Sequence, residues 1–434
     1  MRTPISDNAR PRPARLGILL LLLAGACASV SAASDDPRDP VVQELISEAL
    51  QSNPDIQAAA RELDAARSRV SPAAALDDPM LELGVVNLPV RSPSFRREDM
   101  TMKMIGLAQR LPYPGKRALR RELAEKEADA MANNLQEISN RVAREVKVAY
   151  LDLGLIDETV RLVERNKRVL EQFLAIAEAR YAVGQGSQAD VLKAQTQLFR
   201  MIDEQIKLGR ERPMIEAELN RALGRGAVAR EVKTQPARAR NVALRLDELR
   251  EQARVHRPQV LAQQNAIARN DKMLELARKD YYPDFDLRFS YGQRDNFQDM
   301  RRDDMISFTV AINLPVWRES KRDPRVAEAV AMRDQATRMY EARLNEIHAM
   351  LRQQLATAEQ SLKSARLYET GILPQARLAV EASLAAYKVN RVDFFTLLDN
   401  QMTVFNYGIA HAASLTSHNK AFAEIEFLTG KTLF

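Results

Sequence analysis

Two periods of apolar residues run through this chain, and each predicts its own kind of element. From Ala149 onward, Leu153, Ile156, Val160, Val163, Leu170, Leu174, Ala177 and Tyr181 follow alternating steps of three and four, with Lys167 in the one polar place. That spacing is a heptad seam, an apolar stripe along a helix that zips against another helix. Val191, Ala194, Leu198, Met201, Leu208, Ile215, Leu219 and Ala222 carry the same spacing on the return. Between the two runs lies Gly184-Gln185-Gly186-Ser187, where glycine can take positive φ and serine can cap a helix starting near Gln188. The pattern predicts an antiparallel coiled-coil hairpin. Its first helix, from about Lys116 to Ala182, would be roughly 100 Å long at 1.5 Å per residue.

Elsewhere the period is two. Phe285, Leu287, Phe289 and Tyr291 alternate with Asp284, Asp286, Arg288 and Ser290, and Ile306, Phe308, Val310, Ile312 and Leu314 alternate with Ser307, Thr309, Ala311 and Asn313. The stretches from Met80 to Asn87 and from Met100 to Leu111 supply two more such strands. Strands of about ten residues with one apolar and one polar face are what an outer-membrane barrel uses. A half-buried soluble sheet has the same period, so no single strand decides between them.

The order of elements occurs twice. Pro54 and Pro258, Pro112 and Pro315, and Tyr181 and Tyr387 stand in matching local sequences at offsets of 204, 203 and 206 residues. The reading is a mainly α chain with a small β part, built of two tandem repeats. The first repeat spans 40–224, with strands at about 79–111 and a hairpin at about 116–224; the second spans 245–434, with strands at about 284–316 and a hairpin at about 321–430. Residues 225–244, rich in arginine and alanine, form the linker. Four strands cannot close a barrel, and an open edge cannot sit in lipid with its backbone unpaired. Three copies would give twelve strands, an even number in the known range.

The N-terminus sets the compartment. Arg2, Arg10, Arg12 and Arg15 precede an apolar run from Leu16 to Ala28, and Val30-Ser31-Ala32 offers small residues for cleavage. Residues 1–32 read as a secretory signal peptide, the apolar run being shorter than the roughly 20 residues of a membrane span. The single cysteine, Cys27, stands in a sequence close to a lipoprotein box but with Ala24 where a larger aliphatic residue is usual; ordinary cleavage fits better. No later stretch is apolar enough for a transmembrane helix.

Composition changes the picture little. Aromatics are 6% of the chain and glycines number 15, as befits long helices, and a net charge of +6 over 434 residues argues for no nucleic-acid partner. His256, His348, His411 and His418 are scattered through the second repeat. His411 and His418 share a helix face but are about 10 Å apart, too far for one metal ion, so solvated or interface roles fit these histidines. No nucleophile triad, phosphate loop or carboxylate pair stands in a supporting context, so the chain reads as no enzyme and implies no cofactor.

At the hairpin tip the residues resemble a known family, the TolC-type outer-membrane efflux proteins. The family's tip pattern stands here as Tyr181, Gly184, Ser187, Asp190, Val191, Leu192, Ala194 and Gln195. The second repeat keeps Tyr387, Leu398 and Gln401 but has Asn390, Asp393 and Thr396 at the glycine, serine and aspartate positions. The resemblance implies a homotrimeric conduit in the cell outer membrane with a periplasmic α-helical barrel, joined through a periplasmic adaptor to an inner-membrane pump. Tyr181, Gly184, Gly186, Ser187, Leu192, Tyr387 and Asn390 become candidates for adaptor docking, with Tyr181 and Leu192 expected to pack the turn from either side. Asp190, Asp393 and Asp399 become candidates for a periplasmic gate, with Lys193, Lys388 and Arg391 as nearby salt-bridge partners.

The stretch from Asp77 to Val90 and that from Arg97 to Arg117 resemble the branch serving copper- and silver-type resistance-nodulation-division pumps. Met100, Met102 and Met104 should then project to one, lumen-side face of a strand, where thioethers suit soft cations, although methionine also fills gaps. Drug efflux and type I protein secretion are alternative roles for the same channel. An exported coiled-coil scaffold without a pore would leave the strands unused.

Overall fold

A computed structural model describes residues 39–226, 231–240, 244–296 and 300–432; the signal peptide and Cys27 lie outside the described residues. Each half opens with two helices, the second of which starts at a proline: α1 (Pro40–Ser52) and α2 (Pro54–Ala74) in the first, α5 (Leu246–His256) and α6 (Pro258–Lys279) in the second. Proline at the first helical position loses no hydrogen bond there. In the first half Asn53 caps α2 through the Asp55 N–H at 2.8 Å, and its Nδ2 donates to the Ala222 carbonyl at 2.8 Å. That bond ties the start of the repeat to its end.

The first repeat continues through β1 (Met80–Val86), β2 (Met102–Leu111), α3 (Lys116–Ala182) and α4 (Gln188–Ala222). The second has β3 (Phe285–Gln293), β4 (Met305–Ile312), α7 (Asp323–Leu367), α8 (Leu373–Lys388) and α9 (Phe394–Thr429). The duplication reaches single atoms. Gly224 (φ +71°) and Gly430 (φ +70°), 206 residues apart, each end a repeat against the break between its first two helices. A Cβ on Gly224 would stand 2.5 Å from the Ser52 carbonyl oxygen, and one on Gly430 2.6 Å from that of His256. Only glycine permits both the backbone angle and the approach.

The outgoing helix of the second repeat departs from the expected unbroken rod. A five-residue π turn opens it at Arg318–Arg322 and another interrupts it at Tyr368–Ile372, each ending two residues before a proline, Pro324 and Pro374. A proline in a helix withholds a donor and crowds the carbonyl four residues back, and the wider turn absorbs that misfit. The first repeat has no such proline between Lys116 and Ala182, so α3 runs uninterrupted for 67 residues.

The seam on α3 is also corrected. Its deeply buried stripe is Ile156, Thr159, Val163, Asn166, Leu170, Phe173, Ala177 and Arg180, so every second expected position moves back by one. Val160 and Leu174 flank the stripe half-buried, and Lys167 is displaced by Asn166. The reason is that α3 packs against both α4 and α9, so its stripe is centred between two partners rather than on one. Asn166 is held there by Gln401, whose Nε2 donates to Asn166 Oδ1 at 2.8 Å.

The linker is a strap whose described part is bound to the bundle. Thr234 donates to Asp157 at 2.6 Å, the Gln235 N–H donates to the Tyr150 hydroxyl at 3.2 Å, and Asn419 donates to the Arg238 carbonyl at 2.9 Å. His418, expected at a solvated or interface position, is 2% exposed, with the Ala358 and Arg240 carbonyls 2.8 and 3.1 Å from its ring nitrogens.

The four strands form one antiparallel sheet in the order β1-β2-β3-β4. Its register aligns Leu81, Leu107, Phe289 and Phe308 in one row and Leu83, Ile105, Tyr291 and Ile306 in another, on the same face. That face is exposed: Leu83 is 72% accessible, Ile306 69% and Phe308 67%. The opposite face carries Glu82, Gly106, Ser290 and Ser307 in one row and Met80, Ala108, Arg288 and Thr309 in the next. A half-buried soluble sheet would hide its apolar side, and this one presents it.

Candidate functional site

The two hairpin tips fold by the same rule. At the end of α3 the Gln185 N–H donates to the Arg180 carbonyl at 2.9 Å around Gly184, whose φ is +70°. At the end of α8 the Arg391 N–H donates to the Ala386 carbonyl at 2.9 Å around Asn390, whose φ is +61°. Both are helix C-caps in which a left-handed residue lets the chain bond back across the last turn. The return helices are capped in parallel: Ser187 accepts from the Asp190 N–H at 3.2 Å, and Asp393 from the Thr396 N–H at 2.7 Å.

Side by side, the tips enclose an open cleft of ≈ 500 Å³ whose lining includes Arg180, Gln185, Asp190, Tyr387 and Asn390. Arg180 holds it together. Its guanidinium donates to the Tyr387 carbonyl and Asn390 Oδ1 of the other tip and, at 3.0 Å, to the Gln185 carbonyl of its own. It also lies 4.4 Å from the centre of the Tyr387 ring, a cation-over-aromatic contact. Asp190 Oδ2 accepts from the Tyr387 hydroxyl at 3.4 Å. Burial pushes the Tyr387 phenol up from its ordinary value, and the Asp190 charge adds to that.

The candidate residues therefore divide. Gly184, Gly186, Ser187, Asp190, Tyr387, Asn390 and Asp393 line one cleft. Tyr181 and Leu192 do not pack the turn as expected; they are 49% and 54% exposed and point outward with Val183, Val389 and Phe395. Arg180 takes the buried place because its long side chain can reach polar acceptors that a tyrosine at that position could not. Among the described residues no ion pair joins Asp190, Asp393 or Asp399 to Lys193, Lys388 or Arg391. Asp393 is a helix cap whose carboxyl the Thr396 backbone N–H holds below the usual carboxylate range, Lys193 stands 5.5 Å over the Phe395 ring, and Asp399 is exposed.

Arg180 was absent from the sequence-derived candidates. Its signal was available: an arginine beside the last seam position, at a tip whose counterpart 206 residues on is Ala386.

At the far end of the sheet the expected row of three methionines is reduced to two. β2 starts at Met102, so Met100 lies before the strand, its carbonyl accepting from Asn87 Nδ2 at 3.3 Å in the loop that joins β1 to β2. Met102 and Met104 share the face opposite Ile105 and Leu107, in rows with Val86 and with Gly84 and Gly292. Met305 pairs with the other side of Gly292.

Comparison with known proteins points one way. Residues 45–225 match the family profile described as Outer membrane efflux protein. Across 90% of both chains, the sequence is 23% identical to the cobalt-zinc-cadmium resistance protein CzcC of Cupriavidus metallidurans. The fold matches the outer-membrane channel OprN (TM-score 0.77, 18% identity, 91% of each chain). It also matches CusC (TM-score 0.76, 15% identity, 91% of this chain and 93% of that one). VceC of Vibrio cholerae is similar to the same degree (TM-score 0.76, 17% identity, 91% and 97%).

Proposed function

We propose that this chain is a TolC-type outer-membrane efflux protein, the outer-membrane channel of a tripartite efflux system; the match of residues 45–225 to the Outer membrane efflux protein family and the likeness to CzcC over 90% of both chains support this. The observation that carries this reading is the sheet's exposed apolar face, Leu81, Leu83, Phe289, Ile306 and Phe308, with the polar rows segregated to the opposite face. Such a face suits lipid, and the polar rows suit a water-filled lumen. β1 and β4 are the free edges, so β4 of one copy pairs with β1 of the next, and three copies close twelve strands with no edge left in the bilayer. The helical hairpins then continue below as a periplasmic α-barrel.

In this reading an adaptor tip docks at the hairpin ends. Gly184, Gly186, Ser187 and Asn390 shape the backbone there, and Tyr181 and Leu192 offer exposed apolar contact. Asp190, Asp393 and Asp399 repeat around the threefold axis as a cation-attracting constriction, with an inner-membrane pump beyond the adaptor. The cargo is heavy-metal cations, a reading supported by CzcC, whose name gives cobalt, zinc and cadmium. A pore-free scaffold is disfavoured, since it would leave the apolar rows in water.

The test places arginine on each face of β4. At Phe308 or Val310 it meets lipid, where a charge near mid-bilayer costs about 2–4 kcal/mol; at Ser307 or Thr309 it meets water. The first pair should lose outer-membrane trimers, measured by fractionation and by light scattering in detergent, and the second should keep them. Equal tolerance of both pairs would remove the barrel.

A further inference from the structure

Residues 87–101 form the loop that joins β1 to β2 at the end of the sheet away from the helices, and the described residues 294–296 and 300–304 are the loop ends of β3 and β4 at that same end. Their neighbourhood is rich in one chemistry. Of the 15 methionines in the chain, Met100, Met102, Met104, Met300 and Met305 all fall in these loops or the first strand positions after them, far more than an even spread would place there. Three of the five stand around one point. Met104 on β2 and Met305 on β4 are the two cross-strand partners of Gly292 on β3. Met102 lies two residues from Met104 on the same face, and its Sδ sits over Gly292, 2.5 Å from where a Cβ would be.

We propose that Met102, Met104 and Met305 form a thioether site for a soft monovalent cation, Ag(I) or Cu(I), on the polar face of the sheet just inside its outer mouth. Directly paired strand positions are about 5 Å apart and diagonal ones about 7–8 Å. Three flexible thioethers rooted around Gly292 can therefore meet above it. Glycine is what makes the room: any side chain at 292 would occupy the space that the Met102 sulfur holds. Gly84, the partner of Met104 on β1, leaves the other flank open as well. Gap filling does not account for Met305, which is 38% exposed.

The ligand set selects the ion. Thioethers are uncharged and soft, favouring Ag(I) and Cu(I) over Zn(II) or Co(II), and no group of three His, Cys, Asp or Glu able to hold a metal exists among the described residues. Because a thioether has no proton to lose, binding should be insensitive to pH, unlike binding at imidazole or carboxylate ligands. The proposal deepens the efflux reading and rests on it for the site's place in the path of outgoing cargo; threefold symmetry would set three such sites around the exit.

The test is Ag(I) titration of the full-length protein in detergent and chloride-free buffer, read by calorimetry and by bound silver per chain. The wild type should take one equivalent per protomer at this site, with an affinity that hardly changes between about pH 5 and pH 7. The combined Met102→Leu, Met104→Leu and Met305→Leu variant keeps side-chain volume, and should lose that equivalent or bind it at least tenfold more weakly, while Zn(II) behaves alike in both. Unchanged Ag(I) stoichiometry and affinity in the triple variant would overturn the site. Silver-edge X-ray absorption of the loaded wild type decides the matter even if the variant misfolds: a sulfur shell supports the site, and a shell of nitrogen and oxygen alone overturns it. A protein that binds silver this way but conducts nothing in planar bilayers keeps the site and loses the channel. A conducting trimer with no sulfur-bound silver does the reverse.

Discussion

The two hairpin tips share a backbone and differ in what their side chains do. The turn at Gly184 and the turn at Asn390 have matching φ angles, matching bonds across the last helical turn and a capped return helix each. Yet Tyr387 is buried while its counterpart Tyr181 is half exposed, and Arg180 faces a counterpart, Ala386, with no reach at all. One tip is the clasp and the other is clasped. Duplication supplies a symmetric frame, and one long side chain, present in a single copy, fixes how the halves sit against each other at the end proposed for adaptor docking. The tip itself becomes directional, which two identical turns could not achieve.

The largest break in that comparison is Arg180→Ala. It removes hydrogen bonds from a charged donor to three acceptors, two of them on the opposite tip, although the Tyr387 carbonyl keeps the Asn390 N–H and Gln185 and Asn390 are open to water. Hydrogen bonds to charged groups contribute about 1.5–3 kcal/mol each, offset in part by no longer burying the charge, so a net loss of about 3 kcal/mol in tip coupling is expected. Amide exchange at 386–393 should quicken and bilayer conductance should rise. Arg180→Lys should recover only part of this, because an ammonium cannot span the acceptors as the planar fork does. Unchanged exchange in Arg180→Ala would mean the tips are held by something else.

A sharper test exchanges residues between the tips. Gly186 corresponds to Val392, but a Cβ at 186 would stand 3.2 Å from both Arg180 Cβ and the Tyr181 nitrogen. Gly186→Val should therefore cost about 2 kcal/mol, within the usual range for overpacking. Gly184→Asn, the other half of the exchange, meets nothing within 4 Å, and asparagine tolerates the left-handed region, so it should cost under about 1 kcal/mol. Thermal unfolding in detergent would rank the two. The opposite order would mean that backbone angle, not space, governs the first tip.

Much of this architecture was legible because its signals are periodic. The repeat offsets, the alternation in β3 and β4 and the glycines of the first tip all follow from chain-local rules, and the sheet register then put Leu107, Phe289 and Phe308 on one face as the alternation required. What was not legible depends on a third partner. The shift of the α3 seam from Lys167 to Asn166 arises because α4 and α9 pack on α3 together, and no single-helix periodicity encodes that. Arg180 escaped for the same reason: at the sequence level it is a charged residue beside an aromatic one, and two of its three acceptors lie more than 200 residues away. The proline-linked π turns were within reach, since Pro324 and Pro374 are visible in the sequence, but proline predicts a disturbance without saying which kind.

The smallest effect belongs to the most visible polar contact between the tips, the one from the Tyr387 hydroxyl to Asp190. At 3.4 Å it is well beyond the 2.5–2.7 Å usual for a hydroxyl donating to a carboxylate, so Tyr387→Phe should weaken tip coupling by no more than about 0.5 kcal/mol. The ring would stay stacked under Arg180 and keep the larger share of the contact. The sign with pH is definite. Burial and the Asp190 charge raise the phenol's folded pKa, so its contribution is complete below the ordinary tyrosine value of about 10 and is lost as pH rises through the folded value. Asp393 runs the other way. Its depressed pKa makes its cap complete above about 4 and lost as pH falls through the folded value. Corrected for the intrinsic pH dependence of amide exchange, wild-type tip exchange should therefore be slowest between these limits. Tyr387→Phe should remove the contribution of this residue to the alkaline rise and leave the acid rise intact. A Tyr387→Phe tip that opened at neutral pH as far as Arg180→Ala would reverse the ranking, making the hydroxyl the clasp and the arginine an accessory to it.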